Sequence, residues 1–597
     1  MNNTKLNFVS IMKKVSLGIL LLFFLLVQVM WTLFFATAIT AVVDNDTQEK
    51  FVESLMRKYR EITYGDIDRK DPPIVESMQN LYDVKHHDLN ISVDIPNKQI
   101  SGLMKMDGQS LSDTLNFIYL NLENNMKIDY VKVNGENVTY ERNDVYLILN
   151  TRGMIGKFDD FNVEISYNGN PENKGFDSFA FKKFDKFPAV YTLSEPTYAP
   201  TWWPCKDVPR DKFTINMSIT VPSELTAATS GLLKDEITND DGTKTYIWET
   251  KYPMTTYLVS LNIGRYDRWS DTYTSLDGQK KMPVEYFTYP SYTENAKIDW
   301  KDTPEMIRFY SETFGEYPFV DEKYGMAMFG WTSGAMEHQT LSSMGYLTVT
   351  GTGYFEPVVA HELAHQWFGD AISPETWKDI WLNESFASYS EALWEEHKGG
   401  ETSLLNYMRK EDYGFFYGTV YDPQGDLMSP TVYQKGSWVL HMLRGVVGDE
   451  DFFEILRTYY DEYKYKTANT QQFIEICERV SGQNLTDFFD QWVLKGTGRP
   501  TYEYSWVADE YDGQEGTDAY MLRLTLEQKQ NKKDNWELFK MPIRITVVTD
   551  KGEEELSFYN DQKKQVFAHP VKGKPTKVYI DKDGWVLKKV YENRDKK

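Results

Sequence analysis

Two histidines four positions apart, in His361-Glu362-Leu363-Ala364-His365, constrain this chain more than any other feature. Glu356 and Pro357 precede them as helix-start signals and Gly369 follows as a stop, so the spacing predicts a helix over 357–368. Residues i and i+4 share one helical face, which lets both imidazoles reach a single ion while Glu362 projects beside them toward a hydrolytic water. The arrangement is the H-E-x-x-H pattern, and its alternative is a pair of core histidines on an apolar face. The chain has only two cysteines, Cys205 and Cys477, far apart in sequence, so neither a thiolate cluster nor a disulfide framework is available. Any metal must use His and carboxylate ligands.

A catalytic zinc site takes three protein ligands and leaves the fourth position open. Glu384, in Asp379-Ile-Trp-Leu-Asn-Glu-Ser-Phe-Ala, is the candidate third ligand. It stands at the start of a second helix, predicted over 380–397, which a short connection can fold back against the first. The expected cofactor is therefore one Zn2+ per chain, held by His361, His365 and Glu384.

With 597 residues, the chain exceeds what one core organises, and its 41% hydrophobic content is ample for several. Short alternating segments such as Tyr130-Val-Lys-Val-Asn-Gly-Glu and Phe213-Thr-Ile-Asn-Met-Ser-Ile-Thr-Val-Pro read as strands. After about Met282 longer helical periods take over, and beyond Pro500 alternation returns, as in Tyr520-Met-Leu-Arg-Leu-Thr-Leu. The expectation is a multidomain α+β chain: an N-terminal β-sheet domain at 76–270, a helix-rich catalytic domain at 271–500 and a small C-terminal β-sandwich at 501–597. A net charge of -24 without a basic patch disfavours nucleic acid as a partner.

From Val15 to Val43 no residue is charged, a run long enough to cross a bilayer even when tilted. Lys5, Lys13 and Lys14 precede it and Asp44, Asp46 and Glu49 follow, which by the positive-inside rule exports the remainder. Residues 1–43 thus read as a membrane anchor and 44–75 as a juxtamembrane stalk, placing the working domains outside the cytoplasm. A cleaved signal at Ala36-Thr37-Ala38, giving a secreted or periplasmic protein, is the alternative. Oligomeric state and side-chain preference are not encoded in any segment that can be read locally.

Four stretches together resemble the aminopeptidase N family of gluzincin zinc metallopeptidases, over roughly Tyr82 to Pro500. His361, His365 and Glu384, with Asn383 preceding and Phe386-Ala387 following, match the family's zinc pattern. Gly334-Ala335-Met336-Glu337-His338 resembles its exopeptidase signature G-x-M-E-N, with His338 in place of Asn. The segment from Thr192 to Pro209 is similar to another family segment and puts Glu195 on a second amine-binding glutamate, with Leu193 where Gln is usual and Pro200 where Arg is usual. Val432-Tyr433-Gln434-Lys435-Gly436 resembles the family's Y-x-K-G.

The resemblance implies a thermolysin-like catalytic domain and an aminopeptidase acting on peptides with a free N-terminus. Glu362 would be the general base and Tyr433 the hydroxyl that meets the oxyanion. Glu337 and Glu195 would bind the substrate ammonium, while Gly334, Ala335 and Met336 would pair with its backbone. The sequence stops at Lys597 without the large helical domain of bigger relatives, so a more open site is expected. Two alternatives have other consequences: a membrane-displayed zinc endopeptidase would lack the amine carboxylates, and a non-catalytic peptide-binding surface protein would have no need of Glu362.

Overall fold

The computed structural model describes residues 73–593, apart from 185, 333, 415, 424–425, 512–518 and 534. The uncharged run Val15–Val43 and nearly all of the stalk that follows lie outside the described residues. No helix among the described residues is long and apolar enough to cross a membrane.

The first long strand, β1 (Tyr82–Asp94), buries Leu89, Ile91 and Val93 and turns Asn90, Ser92 and Asp94 outward. That period of two is what a half-buried strand requires. It pairs antiparallel with β2 (Gln99–Ser110) and parallel with Thr214–Pro222, at the centre of an eight-stranded sheet. A four-stranded sheet contains β3 (Phe187–Thr192), whose end leads directly to Glu195. The loop after Glu195 is held against β1 by a buried pair: Lys206 Nζ lies 2.5 Å from the Asp211 carboxylate and donates to the Tyr82 carbonyl at 2.7 Å. Its ammonium also sits 4.5 Å from the centre of the Tyr82 ring.

The middle of the chain builds a five-stranded sheet from β4 (Asp267–Thr274), β5 (Lys281–Thr288), β6 (Tyr324–Phe329), β7 (Ala335–Met336) and β8 (Ser342–Gly345), in the order β4-β5-β6-β8-β7. β5, β6 and β8 are parallel, and β7 is a two-residue antiparallel strand at the edge. All six residues of β6 are buried. A strand covered on both faces has no alternating pattern, which is why this sheet is hidden in a stretch that reads as helical.

Helices complete the domain. α1 (Thr303–Phe314) packs on α2 (Glu356–Ala364), which carries both histidines, and α2 packs on α3 (Trp381–Lys410). Pro357 sits in the first turn of α2, where its missing N–H costs nothing. The expected helix over 357–368 ends earlier, and a tight turn at His365 to Phe368 replaces its last residues. α3 breaks at Gly400, whose φ of 70° is not helical.

Polar contacts bind the N-terminal domain to this one. Lys212 Nζ donates to the carbonyls of Asp370 and Ala371 at 2.7 and 3.0 Å. Tyr257 donates its hydroxyl to the Gly369 carbonyl at 2.9 Å, and Lys323 Nζ donates to the Thr229 carbonyl at 2.9 Å.

Beyond Pro500, a four-stranded and a three-stranded sheet form the β-rich C-terminal region. Leu522, Leu524 and Leu526 from one sheet and Ile543, Ile545 and Val547 from the other are buried, and the Tyr504 hydroxyl donates to the Val578 carbonyl between sheets at 2.8 Å. The region docks through Trp585, stacked on His441 with ring centres 4.5 Å apart, and His441 belongs to α4 (Gly436–Val447).

The Lys206–Asp211 pair generates a stability prediction. Asp211→Ala leaves a buried ammonium without its anion and is expected to cost about 3–5 kcal/mol. The double variant Lys206→Met/Asp211→Ala is expected to recover most of that loss in denaturant unfolding. A double variant no more stable than the single one would contradict the assignment.

Candidate active site

His361 and His365 lie on one face of α2 with ring centres 4.7 Å apart. Glu384, in the first turn of α3, turns its Oε2 toward both: 3.4 Å from His361 Nε2 and 3.3 Å from His365 Nε2. Zinc ligands about 2.0–2.1 Å from a metal, at tetrahedral corners, stand about 3.3–3.4 Å apart. The three atoms therefore already have the spacing of a tetrahedral edge, and the donor set fits a zinc ion in chemistry and in geometry.

The outer imidazole nitrogens are also engaged. His361 Nδ1 is 2.7 Å from Glu391 Oε1, and His365 Nδ1 is 3.0 Å from the Phe368 carbonyl. Both partners are acceptors, so each Nδ1 carries a proton and each Nε2 faces Glu384; against burial, the surrounding carboxylates raise both imidazoles, so the Nε2 atoms hold protons that a zinc ion would replace. Glu391 is itself fixed by the Tyr407 hydroxyl, which donates to Oε2. Burial works against the charge on Glu384, yet the two imidazoles, His365 ahead of His361, hold its pKa down at about 2.

Glu362 is buried beside the histidines, and burial pushes its carboxyl up to about 8. Tyr433 comes from a π-helical turn, Thr431–Lys435, of the kind that often marks a functional position. Its ring lies parallel to that of His361, 5.9 Å centre to centre, and burial first, then Glu384, raises its phenol well above the usual value. It remains a proton donor.

This turn reaches the site because α4 approaches α3 closely. A Cβ at Gly436 would fall 1.8 Å from the Ser385 hydroxyl oxygen, and Ser385 Oγ donates to the Val432 carbonyl at 2.6 Å. Residues 385 and 432 flank Glu384 and Tyr433, so one contact registers the hydroxyl against the third ligand.

Glu337 and Glu195 converge on the same place from different domains. One oxygen from each lies within 4.8 Å of the others and of a Glu384 oxygen. Both are buried, at 3% and 5% exposure, and Oε1 of each lacks a hydrogen-bond partner. Burial raises both carboxyls, and for Glu195 the charge of Glu337 is the next cause. Two buried acids with unpaired oxygens make a socket for a cation.

Glu337 follows the edge strand β7. Gln366 Nε2 donates to the Glu337 carbonyl at 3.1 Å, and Gln366 Oε1 accepts from Thr340 N at 2.8 Å, which ties this strand to the end of α2. Gly334 lies so close to β8 that a Cβ on Gly345 would be 2.2 Å from the Gly334 carbonyl oxygen. Ala335 and Met336 pair on one side only, with Met344 and Ser343, and leave the other edge free.

His338 turns into the core instead. Its Nδ1 is 2.8 Å from Ser343 Oγ, which in turn contacts Asn262, and burial lowers its pKa to about 3, leaving it neutral. Leu193 and Pro200 are buried as well.

Glu391, Gln366 and Tyr257 escaped the sequence reading. Glu391 had a usable signal, since it stands two helical turns after Glu384 on the same face of α3. Tyr257, which also accepts from Asn383 Nδ2 at 3.1 Å, comes from the other domain and had none.

The fold and this triad define a helix-borne site with three candidate ligands for one metal ion. The chain belongs to peptidase family M1: the Peptidase M1 N-terminal domain matches residues 83–258 and the Peptidase family M1 domain residues 299–415 and 418–492. Among curated relatives, Probable aminopeptidase 2 of Sulfurisphaera tokodaii is 27% identical over 63% of this chain and 51% of its own length. Glutamyl aminopeptidase of Rattus norvegicus is 30% identical over 50% and 34%, respectively. The chain spans about half the length of the first of these relatives and about a third of the second. Among solved structures, an M1 zinc metallopeptidase mutant from Deinococcus radiodurans bound to a Tyr-Ser-Ala substrate aligns at 26% identity, with a TM-score of 0.62, over 70% of this chain and 94% of that one. Legionella pneumophila aminopeptidase A shares the fold, with a TM-score of 0.73 at 18% identity, over 88% of this chain and 60% of that one.

The Glu391 contact predicts metal affinity. Glu391→Ala frees the Nδ1 proton of His361 and is expected to weaken zinc binding about 10–100-fold in competitive chelator titration. Unchanged affinity would show that the His361 ring is fixed by other contacts.

Proposed function

We propose that this chain is a zinc-dependent aminopeptidase that hydrolyses the first peptide bond of substrates with a free N-terminus. The observation that carries this reading is the buried pair Glu195 and Glu337, with unpartnered oxygens, beside a three-ligand zinc triad. An endopeptidase would bury those two acids for nothing. A substrate ammonium instead relieves both at once, and its attachment to the first residue sets which bond reaches the metal.

His361, His365 and Glu384 would hold the ion. Zinc, when bound, supplies Lewis acidity that makes water nucleophilic near neutral pH and polarises a carbonyl. Glu362 takes the proton of the attacking water on its carboxylate and returns it to the leaving amine. The Tyr433 hydroxyl donates to the oxygen on which negative charge grows, an interaction stronger in the transition state than in the ground state. Along the free edge of β7, Gly334, Ala335 and Met336 offer backbone groups to the peptide, which binds as an added strand.

The same reading places the catalytic domains outside the cytoplasm. Its support is the sequence itself: the uncharged run Val15–Val43 between Lys13-Lys14 and Asp44, with a secreted or periplasmic form after cleavage as the alternative.

Two outcomes test this function. Glu362→Gln is expected to keep zinc stoichiometry while lowering kcat on amino-acid anilides about 10²–10⁴-fold. N-acetylation of an otherwise good substrate is expected to abolish turnover, because the blocked terminus leaves Glu195 and Glu337 desolvated without a counter-charge, at a cost of several kcal/mol. Equal turnover of acetylated and free anilides would defeat the aminopeptidase assignment.

A further inference from the structure

Among the described residues, Tyr354 is the most exposed of the large apolar side chains, at 76%, and Leu347 is exposed at 51%. Neither belongs to a slack loop. Asp299, itself only 6% exposed, accepts three backbone N–H groups from the segment between them: Thr350 at 2.6 Å, Gly351 at 2.8 Å and Gly353 at 2.7 Å. Tyr346, beside Leu347, packs its ring 4.9 Å from that of Phe184. The fold thus fixes a short surface segment firmly and uses it to hold two apolar side chains in water. Isolated exposed apolar residues are ordinary, whereas apolar residues displayed by a rigid support beside a peptide site call for a ligand.

The segment touches the site at both ends. Gly345, two residues before Leu347, donates its N–H to the Gly334 carbonyl at 3.0 Å, so this chain segment leaves β8 alongside the edge strand β7. At the other end it runs into α2. Pro357 and Val358, four and three residues before His361, lie on the histidine's face and are part-exposed, and Tyr354 precedes them by another turn.

Direction follows from the amine socket. Gln366, the residue after His365, donates to the Glu337 carbonyl at 3.1 Å, which puts the ammonium end on the His365 side of the triad. A peptide passing the metal therefore leaves on the His361 side, toward the start of α2. The helical part of this path, Glu356 to His361, rises about 7.5 Å, and Tyr354 stands just before it, a reach of about two to three residues of extended peptide.

The geometry points to Leu347, Tyr354, Pro357 and Val358 as a preformed apolar cradle for the second and third residues after the scissile bond. The substrate class is thus oligopeptides with apolar side chains at those positions, in preference to dipeptides or amino-acid amides. The orientation of the cradle rests on the aminopeptidase reading given above.

Calorimetry on the full, zinc-loaded Glu362→Gln protein separates binding from turnover. The probes are Leu-Gly-Leu-Phe and Leu-Gly-Gly-Gly, which differ only at the third and fourth residues. The apolar peptide is expected to bind about tenfold more tightly. Leu347→Ser and Tyr354→Ser, both at exposed positions, are each expected to remove much of that gap and together nearly all of it. Equal affinity for the two peptides, or a gap that survives the double substitution, overturns the cradle. Hydrolysis of leucine anilide by the unsubstituted enzyme tests the underlying activity separately: no turnover with the affinity gap intact sinks the aminopeptidase and leaves the cradle standing.

Discussion

The site depends on one spacing, that between Oε2 of Glu384 and the Nε2 atoms of the two histidines. No single helix can produce it. α2 supplies the pair, α3 supplies the carboxylate, and the outer contacts to Glu391 and the Phe368 carbonyl stop the rings from turning away. The substrate-facing parts are then registered on α2. Gln366 ties down the strand bearing Glu337, while Lys212 and Tyr257 reach from the N-terminal domain to the carbonyls just past the histidines. Glu195 arrives with that domain. Two domains of different architecture thus share one point of reference.

The electrostatics of the cleft are built on a shortage of positive charge. Glu195, Glu337, Glu362 and Glu384 gather where burial penalises each of them, and the positive groups within the fold are largely spent elsewhere: Lys206 on Asp211, Lys212 on backbone carbonyls. Such a site is poor in stability and rich in selectivity, because only a cation relieves it. A metal would answer for one part of the cleft and, on the proposed function, a substrate ammonium for another. The two helpers are chemically distinct, and the socket of Glu195 and Glu337 stands beside the triad rather than within it.

What could be read from sequence was what local spacing encodes. His361 and His365 announce themselves through a helical period, and Glu384 through its position at the start of the next helix. The alternating strands at the two ends of the chain follow from a period of two. β6 was invisible for the opposite reason: Tyr324-Gly-Met-Ala-Met-Phe329 is buried on both sides, so nothing alternates. The break in α3 lies at Gly400, just past the expected end at His397. Tyr257 and Gln366 had no local signature because their roles exist only once distant segments meet. His338 stands in the signature segment, yet its side chain is committed to Ser343 in the core, a direction that no spacing rule specifies.

Gly436 ties the fate of two groups together. Because no atom can be inserted between it and Ser385, the turn that presents Tyr433 and the helix end that presents Glu384 behave as one mechanical piece. Any shift that retunes the phenol also moves the ligand oxygen. Adaptation of this site to new chemistry would find those two knobs welded, and would have to work through the far side of the cleft, where neither is touched.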